Sequence, residues 1–120
     1  MQARLIIPGR MPSLNDYIAA MNKNRYVGNV MKHEQTDRVC GLAIASRMPR
    51  FSSPVKIDFL WVEKTRRRDI DNVSFAQKFI LDGLVKAGVI KDDSQRYVIG
   101  LSHMFAHDKD NPHIEVEVHD

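Results

Sequence analysis

Arg66-Arg67-Arg68-Asp69-Ile70-Asp71-Asn72 joins two segments of different periodicity. Before it, Val55, Ile57, Phe59 and Trp61 alternate with Lys56, Asp58 and Leu60, the period of two of a strand over 55–62. After it, Val73, Ala76, Ile80, Leu84 and Ala87 fall on one stripe, widened by Phe79 and Leu81, which predicts a helix over 72–87. Gly88 then stands where a left-handed C-cap belongs. The densest charge of the chain therefore sits at a strand-to-helix junction, where a fold gains little from it.

Outward from this junction, residues 2–7 read as a strand that stops at Pro8-Gly9. Ser13 is placed to cap a short helix through Ala20, with Asp16 at the capping-box position in place of the usual Glu. Residues 22–32 carry Asn and Gly at turn-like spacing and no sustained period, so a long loop is expected there. Val39, Leu42, Ala43, Ile44 and Ala45 restore helix periodicity over 33–48, and Pro49 ends it. Beyond the second helix, Lys91-Asp92-Asp93-Ser94 reads as a turn. Tyr97–Phe105 and Ile114–Val118 read as a closing hairpin. The expectation is a single α+β domain over 1–120: a small mixed sheet of about four strands with two main helices packed on it, in the order β-α-β-α-β-β.

Composition sets the outer limits. The chain has 120 residues, 43% of them apolar, enough for one core of modest depth. Its net charge of +3 is a mild basic bias, compatible with a nucleic-acid partner. Cys40 is the single cysteine, so no intrachain disulfide can form. No basic-then-apolar leader and no long apolar run is seen, and a cytoplasmic protein with no membrane association is expected. The five histidines show no metal-ligand spacing and read as surface or structural groups. No phosphate-cradling glycine loop is present.

In an extended segment Asp69 and Asp71 point to the same side. Two such carboxylates repel each other unless a cation lies between them, and oxygen-only ligands favour Mg²⁺ or Mn²⁺. The competing reading is that Asp71 or Asn72 caps the helix while Asp69 pairs with an arginine. Lys78 follows Asp71 by seven residues, which brings the two within about 20° on one helical face. An ordinary i,i+4 pair of Lys78 with Asp82 is the alternative. Asp93 can approach the first acids only if the chain doubles back after Gly88. Lys64, Arg66, Arg67 and Arg68 suit phosphate contacts, and Lys23 and Arg25 could add more.

Taken together, Pro12-Ser-Leu-Asn-Asp-Tyr17, Arg67-Arg-Asp-Ile-Asp-Asn72, Lys78 with Leu81-Asp-Gly-Leu84, Lys86-Ala-Gly88 and Asp92-Asp93 resemble the RusA-type Holliday junction resolvases. These are small endodeoxyribonucleases common in prophages. The resemblance runs over nearly the whole chain in one element order. It implies a homodimeric, Mg²⁺-dependent nuclease of DNA recombination and repair that nicks two strands symmetrically across a four-way junction. It places the family's essential acids, catalytic and metal-binding, on Asp69, Asp71 and Asp93, and its essential lysine on Lys78. In a known member of the family that lysine follows the second aspartate by four residues; the three extra residues here fall within Val73–Gln77. A branched-DNA-binding module without catalysis, and a nuclease for another DNA structure such as flaps, are the rival expectations.

Overall fold

The computed structural model describes residues 1–120. Its elements run β1 (Gln2–Pro8), α1 (Leu14–Lys23), α2 (Arg25–Ala45), β2 (Val55–Glu63), α3 (Ile70–Ser74), α4 (Gln77–Lys86), β3 (Val98–His107) and β4 (His113–His119). The four strands form one mixed sheet in the order β1-β4-β2-β3, so the fold is α+β as the sequence indicated. No helix is long and apolar enough to cross a membrane.

The expected hairpin of the last two strands does not form. β3 lies parallel to β2 at the edge of the sheet, and β4 inserts antiparallel between β1 and β2. The connection from β2 to β3 passes through α3 and α4, the kind of crossover that parallel strands require. The alternating side chains of β4 give it one buried face and one polar face. Ile114, Val116 and Val118 are buried between Leu5 and Ile7 of β1 and Ile57, Phe59 and Trp61 of β2. All these side chains face the helices, where Val39, Ala43, Phe79, Ile80 and Leu84 close the core. The opposite face of the sheet is mixed, with Ile6 and Met104 exposed among polar groups and Arg4 reaching Glu115 at 3.6 Å and Glu117 at 3.7 Å.

The expected loop over 22–32 is a correction of a different kind. Only Asn24 interrupts the helices there; its Oδ1 accepts from the Val27 N–H at 2.9 Å and starts α2. Gly28 is the sole buried residue of α2 before Val39, so the first half of this helix offers no apolar stripe to read. Gly28 is buried because α1 packs over it: a Cβ there would lie 2.0 Å from Met21 Sδ. The capping box ahead of α1 forms as expected, with Asp16 N–H to Ser13 Oγ at 3.1 Å and Ser13 N–H to Asp16 Oδ2 at 2.8 Å. α2 stops at Ala45, short of Pro49, where Arg47 turns the chain at φ 54°.

The predicted helix over 72–87 is two helices. Phe75 and Ala76 separate α3 from α4 in a tight turn, with Ala76 N–H to Val73 O at 3.3 Å and Lys78 N–H to Phe75 O at 3.1 Å. The break falls inside Val73–Gln77, the segment holding the extra residues. It seats Phe75 and Phe79 against Tyr17 of α1, at ring-centroid distances of 5.4 and 6.1 Å.

Candidate active site

β2 ends at Glu63 and the charged connection leads into α3. Glu63 is almost fully buried, and this position decides what Arg68 does. Arg68 Nε and NH2 donate to the two Glu63 oxygens at 2.6 and 2.9 Å, and NH1 donates to Met11 O at 3.2 Å. Arg10 adds a contact to Glu63 at 3.3 Å. Burial pushes the Glu63 carboxyl up, but the hydrogen bonds and charges of Arg68 and then Arg10 outweigh it and hold it below its usual range. Arg68 is thus a half-buried brace that fixes the connection, whereas its neighbours Lys64, Arg66 and Arg67 are exposed. Arg66 Nε donates to His107 Nδ1 at 3.1 Å across a cleft of about 590 Å³ that Ile70, Phe105 and Arg68 also line.

Asp69 is the N-cap residue of α3 by position, yet its side chain makes no capping hydrogen bond. Asp71 Oδ1 accepts only from the neighbouring Asn72 N–H, at 3.0 Å. Both are exposed, and no Lys, Arg or His lies within ion-pair distance of either. The pairing of Asp69 with an arginine therefore does not form, and of the capping alternative only the Asp71 contact to a first-turn N–H of α3 is seen. Asn72 acts elsewhere, since its Oδ1 accepts from the Asn15 N–H at 2.9 Å and pins α3 to the first turn of α1.

Lys78, in the first turn of α4, lies 3.1 Å from Asp82 and 3.6 Å from Asp93. The hydrogen bond and charge of Asp82, followed by those of Asp93, more than offset desolvation and raise its pKa, so it remains an ammonium. The i,i+4 pair forms, and Lys78 also meets Asp93; the expected common helical face with Asp71 does not hold, because the break at Phe75–Ala76 puts Asp71 in α3 and Lys78 in α4. Asp93 reaches it because the chain doubles back. Gly88 adopts φ +80°, Val89 N–H returns to Leu84 O at 2.9 Å, and Val89 and Ile90 are buried under α4. Beside Lys78, Gln77 Oε1 meets His103 Nε2 at 3.1 Å, and Trp61 Nε1 donates to His103 Nδ1 at 3.0 Å. Burial lowers the pKa of His103, consistent with a neutral structural ring. Lys23 and Arg25 lie apart, exposed at the α1–α2 corner.

The site thus has two parts: the Asp69–Asp71 pair with the exposed cations, and the Lys78–Asp93 pair. No three His, Cys, Asp or Glu side chains stand close enough together to hold a metal ion as a closed cluster. The donor set still suits a hard divalent ion in kind, because Mg²⁺ commonly takes one or two carboxylates and keeps several waters. The extended spacing expected of Asp69 and Asp71 does not hold, because Asp69 is the N-cap of α3 and Asp71 lies in its first turn; both acids are exposed at that helix start and uncommitted to any cation. The positioning residues that sequence reading missed are Glu63, Asn15 and Gln77; Asn72 takes Asn15 as its partner in place of a cap, and His103 is structural as expected. Their partners are at least 26 residues away in the chain, apart from the pairing of Glu63 with Arg68.

No curated protein matches the chain closely enough to name a relative. The family model of endodeoxyribonuclease RusA matches residues 4–119, nearly the entire chain, and includes every candidate residue of both parts of the site. The chain belongs to the RusA endodeoxyribonuclease family.

Proposed function

We propose that this protein is a divalent-metal-dependent endodeoxyribonuclease that resolves four-way DNA junctions by paired nicks, acting as a homodimer. The observation that carries the reading is the Asp69–Asp71 pair. It is exposed and without a cationic partner, and it stands at the start of α3 beside the exposed Lys64, Arg66 and Arg67. Family membership supports the DNA substrate and the four-way junction.

Asp69 and Asp71 would hold Mg²⁺ (or Mn²⁺), with Asp93 as the third acid, kept beside Lys78. When bound, the ion supplies charge neutralisation at the scissile phosphate and eases deprotonation of the attacking water. Hydrolysis forms one P–O bond to the water oxygen and breaks the P–O bond to a deoxyribose oxygen, which takes up a proton. Lys78, held as an ammonium, offsets negative charge as it builds on the phosphoryl oxygens. Lys64, Arg66 and Arg67 hold flanking phosphates, with Lys23 and Arg25 as more distant contacts. Arg68 contributes by keeping the connection in place through Glu63.

A dimer matches the two equivalent strands of a four-way junction through a two-fold axis. β3 supports this. It is a ten-residue edge strand with no Asp, Glu, Lys or Arg, and it exposes Ile99, Leu101, Met104 and Phe105. Unguarded edges of this sort pair with another strand. The other edge, β1, carries Arg4 and ends at Pro8. A second copy of β3 meets no like-charge repulsion in antiparallel pairing.

The rival reading, a branched-DNA-binding module without catalysis, draws on the open arrangement of the three acids. Incubation of a synthetic four-way junction and a linear duplex of the same sequence with protein and Mg²⁺ separates the possibilities. Symmetric nicks in the junction, with little cleavage of the duplex, are expected. Tight junction binding with no nick in Mg²⁺ or Mn²⁺ would favour the module, and equal cleavage of both DNAs would favour a nuclease of other specificity.

A further inference from the structure

At the other end of the parallel pair from the charged connection lies a second cleft, of about 660 Å³, between the start of β2, the end of α4 and the start of β3. Arg50, Lys91 and Arg96 line it, together with Tyr97. Lys91 Nζ and Arg96 Cζ each lie 5.6 Å from the centre of the Tyr97 ring, so two cations converge on one aromatic ring. None of the three cations makes an ion pair. No Asp or Glu lines the cleft: Asp93 is held by Lys78 at 3.6 Å, and Asp92, whose Oδ1 accepts from the Asp93 N–H at 2.9 Å, pairs with none of the three cations.

The walls of this cleft are fixed by backbone, with Phe51 N–H to Val89 O and Val55 N–H to Tyr97 O, both at 2.9 Å. Its floor is Gly88. A Cβ added there would come within 3.2 Å of Arg50 NH2, and φ +80° already disfavours any side chain. The bare glycine that turns the chain out of α4 therefore also leaves room for the Arg50 guanidinium. Three like charges gathered without a carboxylate repel one another, and an anion placed among them relieves that repulsion.

We propose that Arg50, Lys91 and Arg96 form a second phosphate-binding cleft that grips the backbone of a DNA arm away from the scissile position. β2 spans nine residues, about 30 Å at the usual rise. The two cationic ends of the parallel pair are thus separated by nearly one helical repeat of duplex DNA, about 34 Å. Phosphates of one strand face the same side of a duplex at that interval. The identity of the polyanion rests on the nuclease reading above; the cationic cleft does not.

The test is binding of a labelled four-way junction, and of a linear duplex, measured in EDTA across about 50–200 mM KCl so that no strand is cut. The unmutated protein is compared with Arg50→Gln/Lys91→Gln/Arg96→Gln and with the single change Arg96→Glu. The triple variant should lose about 2–3 units from the slope of log K against log salt, close to one per phosphate contact. Its affinity at the lowest salt should fall at least tenfold on both DNAs, since phosphate contacts read no sequence. Arg96→Glu should weaken binding in the same direction. The thermal melts of both variants should stay within a few degrees of the unmutated protein, because these side chains hold no hydrogen bond or ion pair and each exposed cation–ring contact contributes little to stability. Unchanged slope and affinity in the triple variant would overturn the second cleft and leave the nuclease reading intact. Absence of any salt-dependent DNA binding by the unmutated protein would overturn both.

Discussion

Glu63 and Arg68 show how little of a charge run declares itself. In Arg66-Arg67-Arg68 the three residues are chemically identical, yet only the last turns inward, to a carboxylate buried at the end of β2. The run was legible as a cationic feature. Which arginine braces the loop was not, because that depends on where β2 ends and how the loop curls. Replacing Glu63 with Gln should cost about 2–3 kcal/mol at neutral pH in a denaturant melt. This is less than for a fully buried pair, since Arg68 and Arg10 keep some solvent contact. The pH dependence has a definite sign. The Glu63 carboxyl lies below its ordinary 4.5 when folded, so its contribution is complete above that value and is lost as pH falls through the folded pKa. The gap between the unmutated protein and Glu63→Gln should therefore be widest above pH 4.5 and narrow below it. A constant gap down to strongly acid pH would contradict this role for Glu63. Asp69 and Asp71 behave in the opposite way to Glu63: with no partner to lose, Asn at either position should leave the melt nearly unchanged.

Among the helices, the legible parts were those with a one-sided apolar pattern or a strong local signal. The Ser13–Asp16 capping box and the left-handed Gly88 formed as their residue types dictate. The polar first half of α2 gave no stripe, and its start at Asn24 was lost in a stretch that looked like loop. The split between α3 and α4 contains neither Gly nor Pro; it follows from packing Phe75 and Phe79 around Tyr17. Removing the capping-box hydroxyl with Ser13→Ala should cost about 1 kcal/mol in a denaturant melt. Gly83 tests the contact between α2 and α4. Helix propensity alone would make Gly83→Ala stabilising by roughly 0.5–1 kcal/mol. A Cβ there, however, would lie 2.5 Å from Val39 Cβ, and 3.0 Å from the Thr36 carbonyl oxygen. The overpacking should win, giving net destabilisation of about 1–3 kcal/mol; a stabilised Gly83→Ala would show that the two helices are not in close contact.

For the whole molecule, the individual strands could be read locally but their order could not. The alternation in 114–118 gives a strand whose inner face is buried, and nothing nearby says that it lies between the first strand and β2. That insertion leaves β3 as an uncharged edge. The protein should accordingly sediment at twice its 13.8 kDa chain mass at micromolar concentration. Leu101→Lys should shift it to the monomer; a monomeric unmutated protein would remove the basis for paired nicking. The site was legible to the extent that it depends on residue type, as in the two exposed acids and their neighbouring cations. How the doubled-back chain joins Asp93 to Lys78 depends on the packing of Val89 and Ile90 beneath α4. The proposed catalytic role of Asp69 and Asp71, as against a structural one, is tested most directly by single-turnover nicking of a four-way junction in Mg²⁺. The rates to compare are those of the unmutated protein, Asp69→Asn and Asp71→Asn, with junction affinity measured alongside. Each variant should nick at least about 100-fold more slowly while still binding the junction, whereas nicking by either variant at the unmutated rate would contradict that role.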